Sequence, residues 1–294
     1  MISLDSLAAF DFLIWLRTGA RAAELLRCNQ STVSREAKKC QKIFRVSLIK
    51  TSAEWSVIGD EFLLNAERHV HQRYRWESNL PLRLDGQHWL RESYSPLPLD
   101  GWIKGNMNYM EYRQPLYLLQ NRIIDAWLCS SPDHPCNPDL TAIQLCSMPS
   151  YLVVKRSHPL VELGTSITLD DVRRYPRLPL PRQAFPAYES VLDSLGLNQE
   201  NQSFVSTSLA PIEDLLVGIA SPLTIAQYGS DYVPLPIKIP VLVGDTLVIR
   251  TEFADHPRTD SLLGHLRSQL HSIAGEMTDV EILDDALTPK TTSR

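Results

Sequence analysis

The sequence predicts an α/β chain headed by a small helical domain, and three observations carry that prediction. Apolar residues recur at helical spacing through the first seventy positions. From Leu80 onward, short apolar runs at 82–84, 123–129, 151–154, 203–206, 223–226 and 246–251 alternate with helical stretches, the pattern of a mainly parallel sheet covered by helices. The charge is also divided: residues 17–50 hold nine basic side chains against Glu24 and Glu36, a balance of +7, so a chain of net charge −5 carries −12 elsewhere. Such asymmetry points to a polyanionic partner at one end of the molecule.

Composition bounds the rest. At 294 residues the chain suits two domains, one with a large core, and 44% hydrophobic and 21% charged residues are ordinary globular values. Uncharged stretches such as 140–154 and 215–230 contain proline, serine or glutamine and fall short of a membrane span. Residues 1–16 contain Asp5 and Asp11 but no lysine or arginine, unlike a secretory leader, so a cytoplasmic location is expected. Five cysteines without Cys-x-x-Cys spacing are then expected to be reduced packing residues.

Taken in order, Leu4, Leu7, Ala8, Phe10, Phe12, Leu13 and Leu16 form the apolar face of a first helix that Thr18-Gly19 stops. A short second helix carries Ala22, Ala23, Leu25 and Leu26, and a third starts at Asn29 or Gln30 and runs through Val33, Ala37 and Ile43. Two helices joined so closely need a small residue at their approach, here Ala23, and inward apolar residues, here Leu26 and Val33: this is helix-turn-helix spacing. Ser31, Thr32, Ser34, Arg35, Lys38 and Lys39 lie away from the Val33 side, so short hydroxyls and long cations share a surface able to enter a major groove. Ser56 is a candidate N-cap for a further helix through Phe62, Leu63, Ala66, Val70 and Tyr74, with solvated His69 and His71.

Residues 22–49, AAELLRCNQSTVSREAKKCQKIFRVSLI, followed by Trp55-Ser56-Val57-Ile58-Gly59, resemble the DNA-binding region of LysR-type transcriptional regulators. The double alanine, the Gln-Ser-x-Val-Ser-Arg helix, the wing and the entry to a long helix occur in the family's order. The first turn is shorter than the family's, Arg45 stands where a glycine is usual, and Thr51 stands where an arginine is usual. The resemblance implies a winged helix-turn-helix over 1–58, a linker and dimerisation helix over 59–79, and a two-lobed effector domain like a periplasmic binding protein over 80–275. Lobe I would comprise 80–154 and 238–275, lobe II 155–237, and 276–294 would be a disordered tail. Arg21, Ser31, Thr32, Ser34, Arg35, Lys38, Lys39 and Lys50 are the expected DNA contacts, with Lys50 or Arg45 serving the wing.

The stretches 117–131 and 150–160 resemble strands of the family's effector domain. Open α/β sheets place ligands at strand ends and helix N-termini. Candidate effector contacts are therefore Asp85, Gln87 and His88, Ser130 and Ser131, Arg182 with Gln183, and Thr207 with Ser208; each is also readable as a cap, a turn or a surface group. No glycine-rich phosphate loop, nucleophile elbow or His-Glu-x-x-His helix occurs, so neither an enzyme nor a cofactor is expected. The expected partners are double-stranded DNA with an inverted repeat, a small-molecule effector and a second copy in a homodimer or homotetramer. RNA polymerase is a further candidate partner, and no membrane is expected. The competing reading keeps the DNA-binding or partner-binding role but gives the effector domain no ligand.

Overall fold

A computed structural model describes residues 3–51, 54–94, 99–110, 113–178, 185–197 and 212–284. Helix α1 (Leu4–Leu16) starts where the Ser3 side chain accepts the Ser6 amide, and it ends at Arg17 in the left-handed region. Thr18 caps α2 (Gly19–Leu25), and α3 (Gln30–Phe44) follows a short turn. The helix-turn-helix reading holds in detail: Ala22, Ala23, Val33 and Ala37 are buried where these helices meet.

Strands β1 (Ser47–Thr51) and β2 (Glu54–Ile58) pair antiparallel from Ser47↔Ile58 to Thr51↔Glu54 and form the wing. Arg45, at the helix-to-wing corner, has φ +56°. A residue with a Cβ pays about 1 kcal/mol in that region, which glycine does not. Arg45→Gly is therefore expected to raise the unfolding free energy by about 1 kcal/mol, read from urea denaturation without DNA. The next helix, α4 (Phe62–Glu77), is not capped by Ser56, which lies in β2; instead the Phe62 amide donates to the Asp60 carboxylate at 2.9 Å.

The second domain is built from β3 (Leu82–Gly86), α5 (Arg91–Tyr94), β4 (Trp102–Lys104), α6 (Arg113–Gln120), β5 (Ala126–Ser131), β6 (Leu140–Gln144) and β7 (Cys146–Lys155). It continues through α7 (Leu169–Arg173), α8 (Pro186–Ser194), β8 (Gly218–Ala220), α9 (Pro222–Tyr228), β9 (Tyr232–Arg250), α10 (Pro257–Ala274) and β10 (Glu281–Ile282). The sheet runs β10-β7-β9-β5-β3-β4. Among the described strands, β3 pairs parallel with β4 and with β5, whereas β9 pairs antiparallel with β5, β6 and β7. The expected mainly parallel sheet is thus mixed, because one 19-residue strand, β9, runs back through both lobes. A second correction concerns 223–226: Ser221 caps a helix there and Pro222 opens it, so the apolar run is helical rather than a strand. Ordered pairing also continues to Glu281–Ile282, beyond the expected start of the tail.

β7 and β9 connect two cores. One lies around Leu84, Leu128, Leu145, Phe253 and Leu266, the other around Leu152, Leu160, Leu192, Leu235 and Ile239. A third core is shared between the N-terminal helices and the first lobe, with Phe10, Ile14 and Trp15 packed together with Leu118, Ile123, Trp127 and Val248. α1 is consequently apolar on nearly every side, since it faces α3 on one side and the sheet domain on the other.

Polar contacts lock that junction. The Trp15 indole donates to Asp85 at 2.6 Å, the Tyr109 hydroxyl donates to the Trp15 carbonyl at 3.1 Å, and Arg17 lies 4.0 Å over the Tyr109 ring. Asp11, on α1, pairs with Arg68 of α4 at 2.9 Å and with Arg83 of β3 at 3.4 Å, all three buried. Farther along α4, Arg75 pairs with Asp125 at 3.0 Å. His71 is buried beside Glu67 rather than solvated, while His69 is exposed.

All five cysteines are free thiols. Burial pushes Cys40 up to about 12 and raises Cys129 and Cys146 well above the usual thiol range, so these three hold almost no thiolate at neutral pH. Cys136 is exposed. Iodoacetamide at pH 8 is expected to label Cys136 first and to reach Cys40, Cys129 and Cys146 only in denaturant, as followed by peptide mass spectrometry.

Candidate functional site

Two sites emerge, an exposed helix face and a cavity between lobes. On α3, Ser31, Ser34, Arg35, Lys38 and Lys39 are exposed and Thr32 is half-buried, while Val33, Ala37 and Cys40 are buried on the opposite side. The 3.6-residue period makes this separation: positions 33, 37 and 40 share one face, and the hydroxyls and cations fall on the other. Arg35 leaves 72% of its side chain in solvent, and its guanidinium is engaged there by a surface ion pair with Glu36 at 3.4 Å, a weak contact that a base edge can replace. Glu36 sits at the margin of this face and is held there by the Ser6 hydroxyl at 2.6 Å. That hydrogen bond, with Arg35 and Lys39 beside it, lowers its pKa.

The remaining expected DNA contacts are placed differently. Arg21 is on α2, paired with Glu24 at 2.6 Å. Lys50, on the wing, donates to the Arg17 carbonyl at 3.1 Å and lies 5.4 Å over the Trp55 ring. It thereby ties the wing to the end of α1, with Trp55 donating to the same carbonyl at 3.0 Å.

The interlobe cavity has a volume of about 360 Å³. His88, Ser130 and Ser131 line it, as the sequence expects. Asp85 and Gln87 do not: both are buried behind it. Asp85 accepts from Trp15, from its neighbour Gly86 and from the Met107 amide, so its work is at the junction with α1. Burial raises its pKa to about 6, against the pull of those donors. Gln87 accepts the Ser130 amide at 2.8 Å and braces the wall from behind. The remaining effector contacts expected from the sequence, Arg182 with Gln183, Thr207 and Ser208, lie outside the described residues.

Sequence reasoning missed the side chains that define the cavity. Trp89 donates to the Ser130 hydroxyl at 2.9 Å and sits 5.1 Å from the Phe185 ring across the lobes. Asp133, from the first lobe, accepts the Ala187 and Tyr188 amides at 2.8 and 2.9 Å and so caps α8 of the second lobe. Tyr188 in turn bonds Ser150 at 2.5 Å. Asp245 closes one wall, with its carboxylate accepting from the Tyr94 hydroxyl at 2.7 Å. A lone acid in the largely apolar run 241–249 is the available signal for it. Among the described residues no cluster of side chains is suited to holding a metal ion, and no helix is long and apolar enough to cross a membrane.

No family model matches the chain, and no curated protein matches it by sequence. Solved structures do match. A full-length OxyR variant from Pseudomonas aeruginosa is similar at 16% identity and a TM-score of 0.52, over 92% of this chain and 95% of that one. A protein of the same bacterium described as "probable transcriptional regulator PA0477" is similar at 16% identity and 0.55, over 91% and 97%. ArgP from Mycobacterium tuberculosis is similar at 14% identity and 0.50, over 94% and 98%. At such identities the shared property is the architecture, and it spans both domains. The chain therefore shares the fold of these full-length structures: a winged helix-turn-helix, a long connecting helix and two lobes around a cavity.

Proposed function

We propose that this chain is a sequence-specific DNA-binding transcription regulator whose activity is set by a small molecule in the interlobe cavity. One observation carries the reading: α3 presents Ser31, Ser34, Arg35, Lys38 and Lys39 to solvent while its other face is anchored in the core. A hydroxyl-and-cation surface on a rigid helix of a helix-turn-helix suits the major groove, where arginine bonds guanine bidentately and lysine holds phosphate. The work assigned to the chain is binding and not chemistry.

An inverted-repeat operator calls for two such helices, and α4 offers the means of pairing them. Phe62, Leu63, Val70 and Tyr74 are exposed along it, a stripe that a second copy would cover in a homodimer or homotetramer. In this role the protein works in the cytoplasm, and RNA polymerase is a further partner. The formed cavity supports the ligand-bound reading over an effector domain that takes no ligand. Transmission has a short route: Asp85 grips Trp15 of α1, and His88 and Trp89, three and four residues on, line the cavity.

The test is operator binding by variants of α3. Arg35→Ala and Ser34→Ala are each expected to cost about 1–3 kcal/mol of specific binding by fluorescence anisotropy. Lys38→Ala and Lys39→Ala are expected to weaken all DNA alike and to reduce the log–log salt slope by about 1 each. Unchanged specific affinity in both Arg35→Ala and Ser34→Ala would remove α3 as the reading element.

A further inference from the structure

We infer that the interlobe cavity takes an organic cation, an ammonium head on an aryl or alkyl body, with the head seated at Asp245. This rests on the reading of that cavity as the ligand site and names the chemistry of its ligand.

The buried carboxylates differ in what neutralises them. Asp11 has Arg68 and Arg83, and Asp125 has Arg75 and Gln72. Asp133 has two helix amides, and Asp85 has an indole and two backbone amides. Asp245 is equally buried, 2% exposed, yet its side chain has one donor, the Tyr94 hydroxyl, and no basic group among the described residues within ion-pair distance. A buried carboxylate without a counter-charge is costly, and it either takes up a proton or acquires a cation from outside. Of the buried acids, Asp133 and Asp245 are the two on the cavity wall, and Asp133 is already committed to α8.

The rest of the wall fits the body of such a ligand. Trp89, Phe185, Tyr188, Leu223 and Met148 make the cavity largely apolar and aromatic, and no described lining residue is lysine or arginine. Aromatic faces attract a cation as well as apolar surface. An anionic ligand would instead meet two carboxylates and, among the described residues, no lysine or arginine on that wall.

The pH dependence follows from the groups that face Asp245. Tyr94, Cys129 and Cys146 surround it, and burial keeps all three neutral near pH 7. Burial raises Asp245 itself to about 6. Amine binding needs its ionised form, so affinity is fully present above that pH and is lost as pH falls through about 6. His88 also lies on the wall, and the Asp245→Asn variant separates its contribution from that of Asp245.

The experiment is calorimetric titration of the full chain with three probes of one shape: phenethylamine, 2-phenylethanol and phenylacetate. Phenethylamine is expected to bind at least about tenfold more tightly than 2-phenylethanol, with phenylacetate weakest. Asp245→Asn is expected to bring the amine to the affinity of the alcohol and leave the alcohol unchanged. Lowering pH from 7 to 5 is expected to weaken the amine about tenfold in the natural chain and much less in the variant. Equal affinities, tightest binding of phenylacetate, absence of amine binding, or an amine preference that survives Asp245→Asn would each overturn the inference. Should the variant not fold, the ranking and pH response of the natural chain decide alone. Operator binding measured without probes keeps the two readings apart: its failure overturns the regulator reading and leaves the ranking intact, whereas a failed ranking with intact operator binding overturns this inference only.

Discussion

Asp11→Ala is expected to destabilise the folded chain by about 3–5 kcal/mol, because it leaves Arg83 in the interior without its paired carboxylate and Arg68 with Glu61 alone, at 3.3 Å. Asp11 is 1% exposed, and the Arg68 side chain is fully covered. Burial by itself opposes the charge on Arg68; Asp11, Tyr117 and Glu61 together outweigh it and leave the pKa raised. Arg83 fares differently: burial brings it down to about 10, with Arg75 adding to the loss and Asp11 opposing it. Neither guanidinium can shed its proton at neutral pH, so both would draw water into the junction between α1, α4 and β3. Chemical denaturation should show the lower midpoint, and proteolysis should show cleavage near α1. Replacing the triad together with apolar side chains, Asp11→Leu with Arg68→Met and Arg83→Met, is expected to recover much of the loss, since the apolar version has no charge to desolvate.

Trp76→Ala is the second large effect, expected at about 3–5 kcal/mol, the cost of emptying a large buried aromatic site. Trp76 is 1% exposed and stacks on Phe253 with centroids 4.4 Å apart and planes 8° from parallel. It also meets the edges of Trp102 at 5.9 Å and His256 at 5.0 Å. These contacts fasten the end of α4 to the start of α10, a union that Arg258 reinforces by donating to the carbonyls of Arg75, Ser78, Leu80 and Gly101. The Trp76 indole N–H is buried with no acceptor among the described residues, so Trp76→Phe is expected to cost only about 1 kcal/mol. An equal loss in both variants, by thermal denaturation, would mean that ring area is not what holds α4 in place.

What could be read in advance was local. Ala22, Ala23, Val33 and Ala37 announce the helix-turn-helix because their period and size are set within twenty residues of chain. The strand at 126–131 announced itself by its apolar run. Pairing direction did not, because β9 meets β5 and β7 across about a hundred residues and no short pattern records that. The apolar run Leu223–Ala226 suggests a strand, but Ser221-Pro222, a cap and an N1 proline directly before it, makes a helix at 222–228. Asp85 followed by glycine suggested a turn near a ligand; its actual partner, Trp15, is seventy positions away. The same limit hid Asp245, whose meaning depends on which cations are missing around it.

α3 is assigned the reading of DNA, and one selection measures that most directly. Purified natural chain and Arg35→Ala should be incubated with fragments of the source genome at two salt concentrations, and the retained fragments sequenced. The natural chain should enrich a dyad-symmetric site at both salts, and the variant should lose that site while keeping weak, salt-sensitive binding to all fragments. No enriched site, or the same site enriched equally by Arg35→Ala, would contradict the assignment of α3 as the reading helix.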